Sequence, residues 1–144
     1  YATHTNFDGT PDVFTRKSEI LAGHCRDVGR DFTQITRSAN YNVFIAGSHG
    51  EVEDRFAWLR DHYLRLGVPE AKVDDQLEGL RRGPLVGTPD QVVDKLRELQ
   101  RLGMEYAIAY FPEVAYDTSG LELFESAVLP ELAEPHAHRR RWHL

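Results

Sequence analysis

Hydrophobic and polar positions along the chain follow two different repeats, one of about two residues and one of about 3.6 residues. Short apolar or alternating stretches favour β-strands, whereas apolar positions that recur every three or four residues favour amphipathic helices. The sequence predicts three strands on this basis. They cover 1–7, 34–48 with its apolar centre at 41–46, and 104–111, which is apolar enough to be predicted as fully buried.

Helical patterns occupy the stretches between and after these strands. In the clearest of them, the apolar residues from Val52 to Leu66 are spaced by 4, 3, 4 and 3 positions, which places them on one helix face. Pro130 is expected to bend the last helix or to break it near its end, because proline has no N–H to donate. The predicted helices cover 10–28, 52–66, 70–82, 88–102 and 121–132.

The tetrapeptide Gly-Thr-Pro-Asp occurs twice, at 9–12 and at 87–90, and each copy stands directly before a helical pattern. Each predicts a helix start: glycine turns the chain, threonine caps the first N–H groups, and proline takes the first helical position. Gln91, three residues after Thr88, predicts a capping box at the second copy. An alternative hypothesis is that the second copy holds a phosphate at the helix N-terminus, since Gly87 permits the close approach of an anion.

Composition and charge narrow the functional classes. The 144 residues predict one domain, and their formal net charge of −6 argues against a general nucleic-acid or anionic-membrane surface. The single cysteine, Cys25, cannot form an internal disulfide, which favours a reducing, cytoplasmic compartment. No apolar run approaches the ~18–20 residues that span a bilayer. Residues 134–144 are predicted as a flexible basic tail outside the domain of residues 1–133.

Strands that alternate with helices predict parallel βα units, and therefore an α/β fold. Three parallel strands would leave two bare edges, whereas a closed barrel of this kind needs eight strands. The chain begins with Tyr1, and its only methionine is Met104. Together these observations favour the C-terminal portion, about three βα units, of a TIM (β/α)8 barrel.

Three segments resemble the luciferase-like monooxygenase superfamily. Residues 1–31 resemble its sixth strand and the helix that follows. The matching positions are Asn6, Phe7, Phe14, Lys17, Leu21, His24, Cys25, Val28, Gly29, Arg30 and Asp31. Residues 85–112 are similar to the seventh helix and eighth strand of that family, and 121–132 to its terminal helix. Within the superfamily, the whole set most resembles the branch of coenzyme F420-dependent oxidoreductases.

The resemblance implies an eight-stranded βα barrel that binds FMN or the deazaflavin F420 at the C-terminal ends of its strands. It implies hydride transfer or monooxygenation of a small organic substrate, with the segment 47–86 lying over the active face. The barrel rule independently expects functional residues at the ends of the predicted strands. No catalytic residue is assigned, and the predicted cofactor-binding residues are Thr5, Asn6, Phe7, Gly87, Thr88 and Tyr110.

The segments of such a barrel that precede this stretch would supply much of the flavin pocket. We therefore expect this chain alone to bind neither cofactor tightly and to be inactive, while the parent protein takes a small-molecule substrate. The alternative function is a non-catalytic βα module that associates with itself, or a half-barrel subunit that docks on a partner chain. In either case bare strand edges predict a homo-oligomer.

The seven histidines do not predict a metal site. His4 and His49 have no cysteine or carboxylate partner at a ligand spacing, and the three histidines after residue 135 lie in the basic tail. His4 is interpreted as a core or edge residue of its strand, with a flavin-side role as the alternative. Tyr110 is likewise either a core residue or part of a ligand pocket.

Overall fold

A parallel β-sheet with helices on its faces forms the part of the chain that the computed structural model describes, residues 2–7 and 9–133. The basic tail predicted at 134–144 lies outside these residues. The strands are β1 (His4–Phe7), β2 (Thr36–Ile45), β3 (Leu85–Gly87) and β4 (Tyr106–Tyr110). The helices are α1 (Pro11–Asp27), α2 (His49–Arg65), α3 (Glu70–Arg81), α4 (Pro89–Arg101), α5 (Ser119–Leu123) and α6 (Leu129–Leu132), with a 3-10 turn at Phe32–Gln34 and a π-helical turn at Phe124–Val128.

The long strand β2 is the centre of the sheet, and each of the other described strands pairs with it in parallel. β1 pairs with residues 36–39 of β2, β4 with 38–42, and β3 with 43–45. The prediction of a parallel α/β sheet is therefore confirmed. The pairings are staggered along β2, so the C-terminal ends of the neighbouring strands stand at different heights.

The predicted number of three strands is wrong, because the described residues form four. β3 was missed because its Leu-Val-Gly sequence is too short to show an alternating pattern, and only pairing with the end of β2 makes it a strand. The first strand begins at His4 rather than at residue 1, and the second covers 36–45 rather than 34–48. These boundary errors leave the order of the elements unchanged.

The prediction that 104–111 is a fully buried strand is wrong about burial, although it is right about the strand. Tyr106 and Tyr110 of β4 are 56% and 52% exposed, and Ile108 is only half-buried. An apolar run of this kind suits a strand covered on both faces and both edges. Among the described strands, β4 pairs with β2 alone, so much of its surface stays uncovered.

Both Gly-Thr-Pro-Asp copies begin helices, as predicted. Pro11 and Pro89 are the first residues of α1 and α4. The predicted cap at Thr10 is wrong in detail, because its side chain forms no capping hydrogen bond. At the second copy the predicted capping box is confirmed, and in it the Thr88 N–H donates to Gln91 Oε1 over 3.0 Å.

The break predicted near Pro130 is absent, because residues 119–132 stay helical throughout. The last helical segment widens into a π-helical turn directly before α6, which contains the proline. A proline nitrogen cannot donate to the preceding turn, and a single widened turn is a common way to accommodate the missing hydrogen bond.

Two hydrophobic clusters lie on opposite faces of β2. Val43 and Ile45 point to the larger one, and the alternating residues Phe44 and Ala46 to the smaller one. The larger cluster joins the sheet to α1, α4 and the C-terminal helical segments, whereas the smaller joins the end of β2 to α2 and α3. The segment 47–86 thus carries a helix pair that covers the end of β2 on the face turned away from α4.

Candidate functional site

One face of the sheet is lined mainly by polar side chains. Its members can be read from the strand pairing, because laterally paired residues of a parallel sheet project to the same side. Asn6 pairs with Ser38, and Tyr110 pairs with Asn42, so all four share the face on which Phe44 lies. The polar face, as we call it, consists of His4, Asn6, Ser38, Asn40, Asn42, Tyr106, Ile108 and Tyr110.

Hydrogen bonds fix part of the polar face and leave one acceptor unused. The Ser38 hydroxyl donates to the Thr5 carbonyl over 2.6 Å and lies 3.3 Å from Asn6 Oδ1, which ties β1 to β2. Asn40 Oδ1 is buried and has no hydrogen-bond partner within the described residues. A buried acceptor of this kind costs free energy unless a donor reaches it.

The three residues predicted at the end of β1 do not share a face. Asn6 projects to the polar face, whereas Thr5 and Phe7 project toward the helices. The Phe7 ring contacts the Phe14 ring edge-on at a centroid distance of 5.5 Å and packs against the larger hydrophobic cluster. Of the three, only Asn6 can therefore reach a ligand lying on the polar face.

Gly87 and Thr88 lie at the junction of β3 and α4. Gly87 pairs with Ile45, whereas Tyr110 is level with Asn42 and Asn6 with Ser38. At ~3.3 Å per residue along β2, Gly87 is roughly 10 Å beyond Tyr110 and roughly 23 Å beyond Asn6. Tyr110 is therefore the predicted site residue of the polar face nearest to the start of α4 along the strand direction.

The side chain of Gln91, a residue of the first turn of α4, occupies part of the space at the start of that helix. A Cβ added to Gly87, whose φ is 143°, would lie 2.3 Å from Gln91 Oε1, the atom that already accepts from the Thr88 N–H. An anion at this helix start would therefore meet the oxygen of a capping glutamine in addition to the N–H groups of the first turn.

A second group of side chains, missed in the sequence, lies beyond the end of β4. The turn that follows the strand is built on Glu113, whose carbonyl accepts from the N–H groups of Tyr116 and Asp117 over 2.8 and 2.9 Å. Asp117 Oδ1 in turn accepts from the Ser119 N–H over 2.9 Å, at the start of α5. These bonds fix the backbone of the turn and the position of the Asp117 carboxylate beyond the end of β4.

Arg55 of α2 reaches across to this turn. Its Nη1 lies 3.0 Å from Glu113 Oε1, its Nη2 lies 3.1 Å from Asp117 Oδ2, and Nη2 also donates to the Ser119 hydroxyl. A Cβ added to Gly120 would lie 2.9 Å from Glu113 Oε1 and 3.0 Å from Arg55 Nη1, so glycine leaves room for the pair. The network fastens α2 to the chain that follows β4.

Glu113 is the least exposed charged residue of this network, at 2% exposure. Burial raises the pKa of its carboxyl above the ordinary value, and the nearby Arg55 opposes that rise. The pKa of Asp117 is lowered instead, first because its carboxylate accepts from the Ser119 N–H. Glu113 Oε2 has no hydrogen-bond partner among residues 2–7 and 9–133.

The network lines an open cleft of about 300 Å³ between α2 and the turn after β4. The Trp58 ring of α2 stacks on the His62 ring with 5.2 Å between the ring centroids. The centroid of the Tyr116 ring lies 4.3 Å from that of His62, so aromatic rings form much of one wall. We call this space the aromatic cleft, and its lining residues are Phe44, Asp54, Arg55, Trp58, Glu113, Tyr116 and Asp117.

The barrel rule gave one usable signal for this cleft, since Glu113 stands just past the end of a parallel strand. The sequence shows no signal for Arg55, the partner of Glu113, because the two residues are 58 positions apart along the chain. Within the described part of the chain no three His, Cys, Asp or Glu residues cluster as a metal site would require. None of the described helices has the length and apolar character of a membrane span.

No known family model and no curated protein matches this sequence. Several solved structures do match the fold. The coenzyme F420-dependent tetrahydromethanopterin reductase from Methanopyrus kandleri matches with a TM-score of 0.62 at 18% identity, over 90% of this chain and 45% of the reductase. A riboflavin lyase with modified FMN and riboflavin matches with a TM-score of 0.65 at 18% identity, over 90% of this chain and 38% of the lyase.

An FMN-bound oxygenating constituent of 3,6-diketocamphane monooxygenase from Pseudomonas putida also matches, with a TM-score of 0.54 at 18% identity, over 89% of this chain and 42% of that protein. All of these are luciferase-like proteins. The chain shares the fold of these proteins. The resemblance stated from the sequence is thus confirmed at the level of the fold, and the chain spans less than half the length of each of these three proteins.

Proposed function

We propose that this chain is about three C-terminal βα units of a luciferase-like TIM barrel, forming residues 1–133, and that the parent protein is an F420- or FMN-dependent oxidoreductase or monooxygenase. The parent acts on a small organic substrate. The observation that carries the proposal is the polar face, which lies opposite the main helix layer where a barrel would have its interior. The coverage of 38–45% of the matched proteins supports the same assignment.

The residues of the polar face fit a flavin or deazaflavin ring system. Both ring systems carry an N–H between two carbonyl groups, and Asn40 Oδ1 offers a buried acceptor without a partner in the described chain. When bound, the cofactor supplies the hydride or oxygen chemistry of the reaction. In this proposal Asn6 and Tyr110 contact the cofactor and Asn40 orients its ring.

The other predicted cofactor-binding residues take supporting roles in this proposal. Gly87 and Thr88 border the far end of the site at the start of α4. Thr5 and Phe7 act from the opposite face, where Phe7 holds β1 against α1 through its contact with Phe14. None of these residues is proposed to transfer a proton or hydride.

We expect the 144-residue chain to bind neither FMN nor F420 at low micromolar concentration, and the complete gene product to bind one of them at one site per chain. In the complete protein, Asn40→Ala should weaken binding about tenfold, because it removes one buried hydrogen bond. Gln100→Ala, on the exposed surface of α4, serves as the control. Fluorescence titration measures both affinities, and failure of the complete protein to bind either cofactor would overturn the proposal.

A second candidate function is the non-catalytic module that associates with itself, and the exposure of β4 favours it. Tyr106 and Tyr110 project from the same face of a strand that pairs only with β2 within the described residues. Exposed strand edges with apolar side chains are sites of pairing between chains. In this alternative, a second copy of the chain covers β4 and the polar face.

We therefore expect the 144-residue chain to form a homodimer whose contact centres on β4. Light scattering at tens of micromolar should give twice the 16.5 kDa chain mass. Tyr106→Lys should weaken dimerisation at least tenfold, because it places a charge in the contact, whereas Gln76→Lys on the exposed side of α3 should not. A monomer with a cooperative melt would contradict the prediction.

A further inference from the structure

We propose that the aromatic cleft is a binding site for a small aromatic cation, such as an aryl amidinium or a protonated aryl amine, whose N–H group donates to Glu113. As a binding site it stands on the geometry of the cleft alone. As a substrate subsite it rests on the proposed function, because the cleft continues the polar face at the end of β2. Asn42 and Phe44 project from the same side of that strand, and Phe44 lines the cleft.

The unused acceptor is the first argument. Glu113 is 2% exposed, lines the cleft, and has an Oε2 atom without a partner in the described chain. Its other oxygen is already occupied by Arg55 at 3.0 Å. A buried carboxylate oxygen is costly without a donor, and a charged N–H is the strongest donor that a ligand can bring.

The charge of the cleft is the second argument. Its lining carries three carboxylates, Asp54, Glu113 and Asp117, against the single guanidinium of Arg55. Both terminal nitrogens of that guanidinium are already engaged, Nη1 with Glu113 and Nη2 with Asp117 and Ser119. An anionic ligand would have to displace these carboxylates, whereas a cation is attracted by the excess negative charge.

The aromatic wall is the third argument. Trp58 and Tyr116 flank the cleft and approach each other to 6.2 Å between ring centroids. His62 lies against both rings, at 5.2 Å from Trp58 and 4.3 Å from Tyr116. Indole and phenol rings attract cations over their faces and stack on planar ligands, so this wall favours a flat cation over an aliphatic one.

Benzamidine is a suitable probe, with benzamide as the neutral molecule of the same shape and benzoate as the anion. In a Trp142→Phe background, Trp58 is the remaining tryptophan, and its fluorescence reports on the cleft. We expect benzamidine to bind at one site per chain, benzamide at least tenfold more weakly, and benzoate not at all. Equal affinity for the cation and the neutral molecule would overturn the proposal.

Glu113→Gln should weaken benzamidine binding at least tenfold, whereas Asp61→Asn, on an exposed position of the same helix as Arg55, should not. Tyr116→Leu provides a second variant that keeps the buried network, because this side chain is 63% exposed. It should weaken benzamidine binding several-fold. Unchanged binding in both cleft variants would overturn the site. Cofactor binding by the complete protein without benzamidine binding would overturn this inference and leave the proposed function standing.

Discussion

Replacing Arg55 with methionine is expected to lower the free energy of unfolding by about 3 kcal/mol at neutral pH, because it leaves a buried carboxylate without its cation. Glu113 is 2% exposed and its Oε1 lies 3.0 Å from Arg55 Nη1. Asp117 and the Ser119 hydroxyl lose the same partner. Urea denaturation of the 144-residue chain measures the change.

Arg60 offers a matched control on the same helix. It also contacts two carboxylates, Glu70 and Asp74, but their side chains are 69% and 54% exposed. Exposed pairs of this kind contribute little, so Arg60→Met should cost less than about 1 kcal/mol. Adding Glu113→Gln to Arg55→Met should restore part of the lost stability, since the buried charge is then gone. Equal costs for the two arginine variants would contradict the prediction.

The cost of losing Arg55 should also depend on pH. The pKa of Glu113 is raised in the folded state above its ordinary value of 4.5, first by burial. At a pH between 4.5, where the unfolded chain titrates, and the higher pKa of the folded chain, the folded chain keeps a proton that the unfolded chain has released. The contribution of this group to stability therefore falls as pH rises through the folded pKa. Without Arg55 the folded pKa rises further. The loss of unfolding free energy caused by Arg55→Met should therefore become smaller as the pH is lowered toward 4.5. In a protein that also carries Glu113→Gln, this loss should no longer depend on pH in that range.

The features that the sequence predicted well are those fixed by local chemistry. Pro11 and Pro89 begin helices where the Gly-Thr-Pro-Asp copies stand, because capping and the fixed φ of proline act within one turn. The amphipathic stripe from Val52 predicted α2 because a 3.6-residue repeat sustained over several turns matches a helix and does not match a strand. β3 was not predicted because three residues are too few to show a hydrophobic repeat. It is a strand because it pairs with Ile45 and its neighbours in β2.

The site was harder to predict because it depends on pairing between strands. Alternation along β1 separates Asn6 from Thr5 and Phe7, but only the pairing of Asn6 with Ser38 tells which set faces the helices. The Arg55–Glu113 pair joins residues 58 positions apart, so no spacing rule reaches it. The exposure of β4 has the same origin, because burial depends on which surfaces meet in three dimensions and an apolar sequence alone does not fix it.

The helix pair α2–α3 should come away from the sheet as a unit when the smaller hydrophobic cluster is damaged. Phe44 is fully buried, and the centroid of its ring lies 4.3 Å from the ring centroid of Phe56 in α2. It is the sheet's main contribution to a cluster that otherwise consists largely of residues from α2 and α3. Phe44→Ala is expected to cost about 3–5 kcal/mol, through lost burial and the cavity left behind.

Native-state hydrogen exchange separates this local effect from global unfolding. In Phe44→Ala, the amides of α2 and α3 should lose protection while those of β2 and α4 keep most of theirs, because Val43 and Ile45 still pack into the larger cluster on the other face. Phe14→Ala is the matched control, since Phe14 is equally buried but belongs to that larger cluster. It should lower protection across the sheet and α4. If Phe44→Ala lowered protection evenly over both layers, the two clusters would form one cooperative unit, and α2–α3 could not move independently over the polar face.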